Sequence, residues 1–181
     1  MLTYLKYLIQ LILSPQRGWD DIAETNPDPE ELLRTGLYPL MGLTAATEFL
    51  GLAYHHGKSL AEVLVGAVGD FGAYFISIFI AKLIFELYLE SFCHVEHDRR
   101  RSFSLIIFGI GLMVLFQLLR NCLPWNLLIL KFLPVYVILV LSKANKFMGA
   151  GKNDEMRLLG LSSAAIVGAP MLIYYIIFAI I

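Results

Sequence analysis

Apolar residues run along this chain in long blocks broken by short charged patches, not in the alternating or three-and-four spacing of half-buried elements. A helix needs about 20 apolar residues to cross roughly 30 Å of hydrocarbon. Five blocks reach or approach that length: Leu33 to Tyr54, Val63 to Phe92, Phe103 to Leu119, Leu123 to Leu141 and Leu158 to Ile181. The second is long enough to tilt or to project from the bilayer. Only Arg120, Asn121 and Cys122 separate the third and fourth, which predicts a tight antiparallel hairpin. The expected fold class is all-α: a polytopic membrane helix bundle with five transmembrane helices, a single membrane domain over residues 1–181.

Ahead of the first block, residues 1–14 are apolar but too short to span. Thr3, Lys6, Gln10 and Ser14 recur at helical spacing, with Leu5, Leu8, Ile9 and Ile12 on the other side. That pattern predicts an interfacial amphipathic helix. No small-residue cleavage pattern follows it, so it is not read as a signal peptide. Residues 15–32 read as a cytoplasmic linker. Pro15 and Gly18 close the helix, and Trp19 is expected at headgroup depth with its ring buried and its N–H wet; Lys6 and Trp19 are the interfacial residues. After the acidic stretch Asp20 to Glu24, Asp28 and Glu31 form a capping box with Pro29 at the first helical position. A helix is therefore expected to start near residue 29 and to carry into the first span.

Composition strengthens the membrane reading. Hydrophobic residues make up 58% of the 181 and charged residues 16%, with a mean hydropathy of +0.70, whereas a soluble domain carries about 25% charge. Lys6, Arg17, Arg34, Arg99, Arg100, Arg101, Lys143, Lys146, Lys152 and Arg157 all fall on one side of the predicted topology, and the opposite loops offer Lys58 and Arg120. This bias predicts a cytoplasmic N-terminus and an outside C-terminus. The same clusters meet anionic headgroups first, so the lipid bilayer is the expected partner and nucleic acid is not.

Depth can then be assigned to the polar residues inside the spans. Glu48, Asp70 and Lys131 each lie six to eight residues from the outer end of their span, roughly 9 to 12 Å below the boundary. Asp70 shares a stripe with Gly66, Tyr74, Ser77 and Ala81, small or polar as an interior face should be; Glu48 shares its side with Met41, Thr44 and Gly51. These three form a candidate intramembrane polar cluster, which Gln117 joins if its side chain reaches inward. Charge in hydrocarbon is costly and asks for an explanation. Two remain open: a proton or cation path, or polar cavity floor, and an ion-pair network that only fixes helix packing.

Other chemistry is thin. Lys82 and Glu86 read as an interfacial ion pair. His94 and His97, with Cys93 or Glu90, are weak candidates for a metal site; they lack the zincin spacing, and no metal or other cofactor is expected. Cys93 and Cys122 lie on opposite sides and are not expected to pair. With no nucleophile elbow, phosphate loop or paired cysteine motif, the chain is not read as an enzyme.

Small residues crowd two faces. Gly66, Gly69, Gly72 and Ala73 lie in the second span, and Gly160, Ala164 and Gly168 repeat every four residues in the fifth. Such faces let helix backbones approach closely, within the bundle or across a homodimer. Pro134 and Pro170 are expected to kink their spans.

The run Leu11-Ile12-Leu13-Ser14-Pro15-Gln16-Arg17-Gly18-Trp19-Asp20-Asp21-Ile22, followed by Leu37-Tyr38-Pro39-Leu40-Met41-Gly42-Leu43, resembles bacterial members of the Yip1-domain family. The resemblance implies a five-span helical bundle in a bacterial inner membrane. Eukaryotic relatives bind Rab-type GTPases with the help of a long N-terminal region. Here about 30 residues precede the first span, so a GTPase partner is not expected. The resemblance implies a non-enzymatic membrane scaffold or organiser acting through helix and interfacial contacts with itself or other membrane proteins. The alternative is a small transporter or channel for a proton, cation or small solute, using the Glu/Asp/Lys cluster.

Overall fold

The structure is a computed structural model that describes residues 1–54, 59–95, 98–123 and 132–180. Every regular element among them is helical: α1 Leu2–Leu13, α2 Pro15–Thr25, α3 Pro29–Leu32, α4 Tyr38–Thr47, α5 Gly51–Tyr54, α6 Leu60–Cys93, α7 Arg99–Cys122, α8 Leu133–Leu141, α9 Asn145–Met148, α10 Glu155–Ser163 and α11 Ala169–Ile180. A π-helical turn, Leu33–Leu37, joins α3 to α4, and a second, Ala164–Gly168, joins α10 to α11; a 3-10 turn, Glu48–Leu50, joins α4 to α5.

Among the described residues three helices are long and apolar enough to cross a bilayer: α6, α7 and the run Glu155–Ile177. Their ends are set by local chemistry. The Ser59 hydroxyl accepts from Glu62 N while the Glu62 carboxylate accepts from Ser59 N, a complete capping box that starts α6 before the expected Val63. Asp98 accepts from the backbone of Arg100 and Arg101 and starts α7. Asp28 likewise accepts from Glu31 N at 3.2 Å, with Pro29 at the first helical position. The molecule is thus a polytopic all-helical membrane protein; the expected fourth span, Leu123 to Leu141, lies in part outside the described residues.

The first expected span is a broken helical run over residues 29–54. Each π turn ends two residues before a proline, Pro39 or Pro170. A proline has no N–H for the carbonyl four residues back and its ring crowds that oxygen; widening the turn re-satisfies the freed group. Pro134, by contrast, is the second residue of α8, where a missing N–H is harmless.

The centre of the bundle is α7, on which every residue from Ser104 to Val114 is buried. A helix apolar all round needs cover on all sides, and α1, α4, α6, α8 and the turn before α11 supply it. Gly109 allows the last approach, since a Cβ there would stand 2.7 Å from Ile166 Cγ2. On α6, Val68, Phe71, Phe75, Phe79 and Leu83 point outward, an apolar surface suited to lipid.

The N-terminal region differs most from expectation. Residues 15–32 are not a linker: Gly18, Trp19 and Ile22 on α2 are buried, while Arg17, Asp20 and Glu24 face out. Nor is the Trp19 N–H wet. Its ring is 1% exposed, packs on Phe108 and Phe147, and its indole N–H donates to the Val140 carbonyl at 3.0 Å. α1 docks through Tyr4, Leu8 and Leu11, leaving Lys6 with Leu2, Ile9 and Leu13 exposed. α1 and α2 are therefore a helical hairpin built into the core, because their apolar faces find protein before lipid.

Candidate functional site

Asp70, Tyr74, Ser77 and Ala81 lie on one face of α6 and are all buried, the inward face that their spacing predicts. Asp70 is 3% exposed. Gln117 on α7 reaches inward, its side-chain amide donating to Asp70 Oδ2 at 2.9 Å and to Asn121 Oδ1 at 3.2 Å. Asn121 in turn donates to the Thr44 carbonyl and the Thr47 hydroxyl, each at 3.4 Å. One chain of hydrogen bonds therefore ties α4, α6 and α7 together, and each member satisfies the next, as buried polar groups require.

Glu48 approaches from the 3-10 turn after α4 and lies within hydrogen-bonding and electrostatic reach of Asp70. Its Oε2 stands 3.4 Å from the place a Cβ at Gly66 would take, so the small residue one turn before Asp70 leaves room for the carboxylate. Arg120 acts on Asp70 from the exposed end of α7. Asp70 thus has a second carboxylate and a guanidinium within electrostatic reach.

Asp70 and Gln117 also line a cavity of about 260 Å³ between α6, α7, α8 and α11. Its walls are otherwise mainly apolar, with Phe116, Pro134, Pro170 and Met171, together with the rings of Tyr74 and Tyr174. The Tyr74 hydroxyl donates to the Met113 carbonyl at 3.5 Å.

Of the residues singled out by sequence, Glu48, Asp70 and Gln117 come together; Lys131 and His97 lie outside the described residues. Arg120, Asn121, Thr47 and Tyr174 were missed. The apolar block ends at Leu119 and predicts Arg120 and Asn121 in a hairpin loop, but α7 continues to Cys122. Asn121 is four residues after Gln117, a helical spacing that was legible. Gly69 is buried on α6, whereas Gly160 and Ala164 point away from the bundle and Gly168 is half-exposed. A Cβ at Gly160 would meet nothing within 4 Å, so this stripe is not a packing face of the bundle.

At the other end, His94 Nδ1 lies 3.2 Å from Asp154 Oδ1 and 2.8 Å from Arg157 Nη1. Among the described residues no three His, Cys, Asp or Glu side chains gather as a metal site. Lys82 Nζ stands 5.2 Å from the centroid of the Phe103 ring. Lys146 pairs with Asp20 at 3.0 Å, and Arg100 and Arg101 donate to the carbonyls of Asn26 and Phe147. The basic loops and the N-terminal hairpin therefore share one end of the molecule, opposite Arg120. Comparison with known protein families, characterised proteins and solved structures finds no match.

Proposed function

We propose that this protein is a small transporter or channel that carries a proton, cation or small solute through the polar site of Glu48, Asp70 and Gln117. The observation that supports it best is Asp70 itself, buried at 3% exposure, hydrogen-bonded to Gln117 and standing on the wall of a 260 Å³ cavity. A network kept only for packing has no need of a cavity beside its charge. Intramembrane carboxylates next to space are the usual elements of ion and proton paths. In this reading the chain is a non-enzymatic, five-span protein of Yip1 type in a bacterial inner membrane, its basic end cytoplasmic and its C-terminus outside. The bilayer is its first partner.

The test is flux into proteoliposomes under an imposed potential, with an internal pH dye and a panel of cations. Asp70→Asn and Glu48→Gln should each lower the rate by about 10²-fold, as removal of a proton-handling group does. Wild-type rates in both folded variants would sink the proposal.

A second reading, a scaffold or organiser that binds a copy of itself or other membrane proteins, is favoured by the outward stripe of Gly160 and Ala164. Gly160→Leu should then dissociate a crosslinkable dimer while leaving the monomer's unfolding within about 0.5 kcal/mol of wild type. A dimer yield unmoved by that change counts against it.

A further inference from the structure

The walls of the cavity say more about an occupant than its depth does. A bare metal cation wants a shell of six or more oxygens, or waters to replace them. Here the charged and amide groups are Asp70, Gln117 and Arg120, and most of the remaining wall is carbon, sulfur and aromatic ring. Pockets of this kind hold ligands that are largely apolar and are oriented by a few polar groups.

Charge decides the sign of the polar group. Arg120 is exposed, while Asp70 is almost wholly buried, with Glu48 within electrostatic reach of it. Electrostatic attraction is strongest where water is excluded, so Asp70 governs the pocket more than Arg120 does. The rings of Tyr74, Tyr174 and Phe116 line the same cavity, and aromatic faces attract organic cations. We infer that the cavity binds a small organic cation, an ammonium group set at Asp70 with its apolar part against Phe116, Pro170 and Met171.

This inference rests on the same site as the transport reading but does not require flux. It is tested with protein in nanodiscs, empty nanodiscs correcting for partition into lipid, by titration with three probes of one shape: phenethylammonium, 2-phenylethanol and phenylacetate. Phenethylammonium should bind saturably and at least about tenfold more tightly than the alcohol, the worth of one hydrogen bond to a charged group. Phenylacetate should bind no better than the alcohol. Asp70→Asn should bring the cation to within about twofold of the alcohol. Met171→Trp, at an exposed position on the wall that leaves the polar network untouched, should block all three probes.

Equal binding of cation and alcohol, tightest binding of phenylacetate, or cation binding that survives Met171→Trp would overturn the inference. The Met171 variant decides the matter even if Asp70→Asn does not fold. Proton flux without amine binding would remove this inference and leave transport standing; amine binding without any flux would do the reverse.

Discussion

The hydroxyl of Tyr4 donates to the main-chain carbonyl of Ile107 at 2.8 Å, joining positions 103 residues apart. That carbonyl is also the α-helical partner of the Gly111 N–H one turn later, so the phenol must slide in beside α7 where residue 111 would carry its side chain. A Cβ at Gly111 would overlap the Tyr4 hydroxyl, and one at Gly36 would overlap its ring. The two glycines make the slot in which α1 is held.

Gly111→Ala should therefore cost about 1–3 kcal/mol by overpacking, and Tyr4→Phe about 1 kcal/mol for the lost hydrogen bond. Because removing the hydroxyl makes room for the methyl group, the double variant should be more stable than the two costs predict. Denaturant titration in micelles measures this. Costs that add to within about 0.5 kcal/mol would show that the residues do not share the slot.

Trp19 separates a docked hairpin from an interfacial one. Trp19→Ala should cost about 3–5 kcal/mol and expose α1 and α2 to trypsin at Lys6 and Arg17. Trp19→Phe keeps a ring against Phe108 and Phe147 but loses the bond to Val140, at about 1 kcal/mol. A neutral Trp19→Ala would return Trp19 to the headgroups.

Gln117→Leu takes from Asp70 its 2.9 Å donor and leaves the carboxylate under-satisfied. The expected loss is about 1–3 kcal/mol. Adding Asp70→Asn to that variant should recover part of the loss, since removing the charge also removes the need for its donor. Thermal unfolding of the three proteins checks the order, and a double variant weaker than Gln117→Leu alone would contradict it.

The two cysteines test the proposed orientation. Cys122 is exposed near Arg120, and Cys93 is wholly buried at the opposite end of the bundle. An impermeant maleimide added to intact spheroplasts should label the wild type and not Cys122→Ser. Labelling only in inverted vesicles would reverse the assigned sides.

Much of the fold was written locally. Apolar block length announced helices for lipid, and Asp28, Ser59 with Glu62, and Asp98 carry the caps that begin three of them. The periodicity of Asp70, Tyr74, Ser77 and Ala81 gave the inward face of α6 without any structure. These properties depend on residues within one or two turns of each other, which is the range over which a sequence pattern has a single meaning.

Partners across space were not legible in this way. An apolar stripe on α1 or α2 looks the same whether lipid or protein covers it. Tertiary packing decided that Trp19 is buried against Phe108 and that Gly160 and Ala164 face outward. The sequence by itself determined a helical membrane protein with acids in its apolar segments. Which side chain answers Asp70 depended on the rotation and offset of α7 against α6, which hydropathy leaves free and only close packing such as that of Ile166 on Gly109 sets.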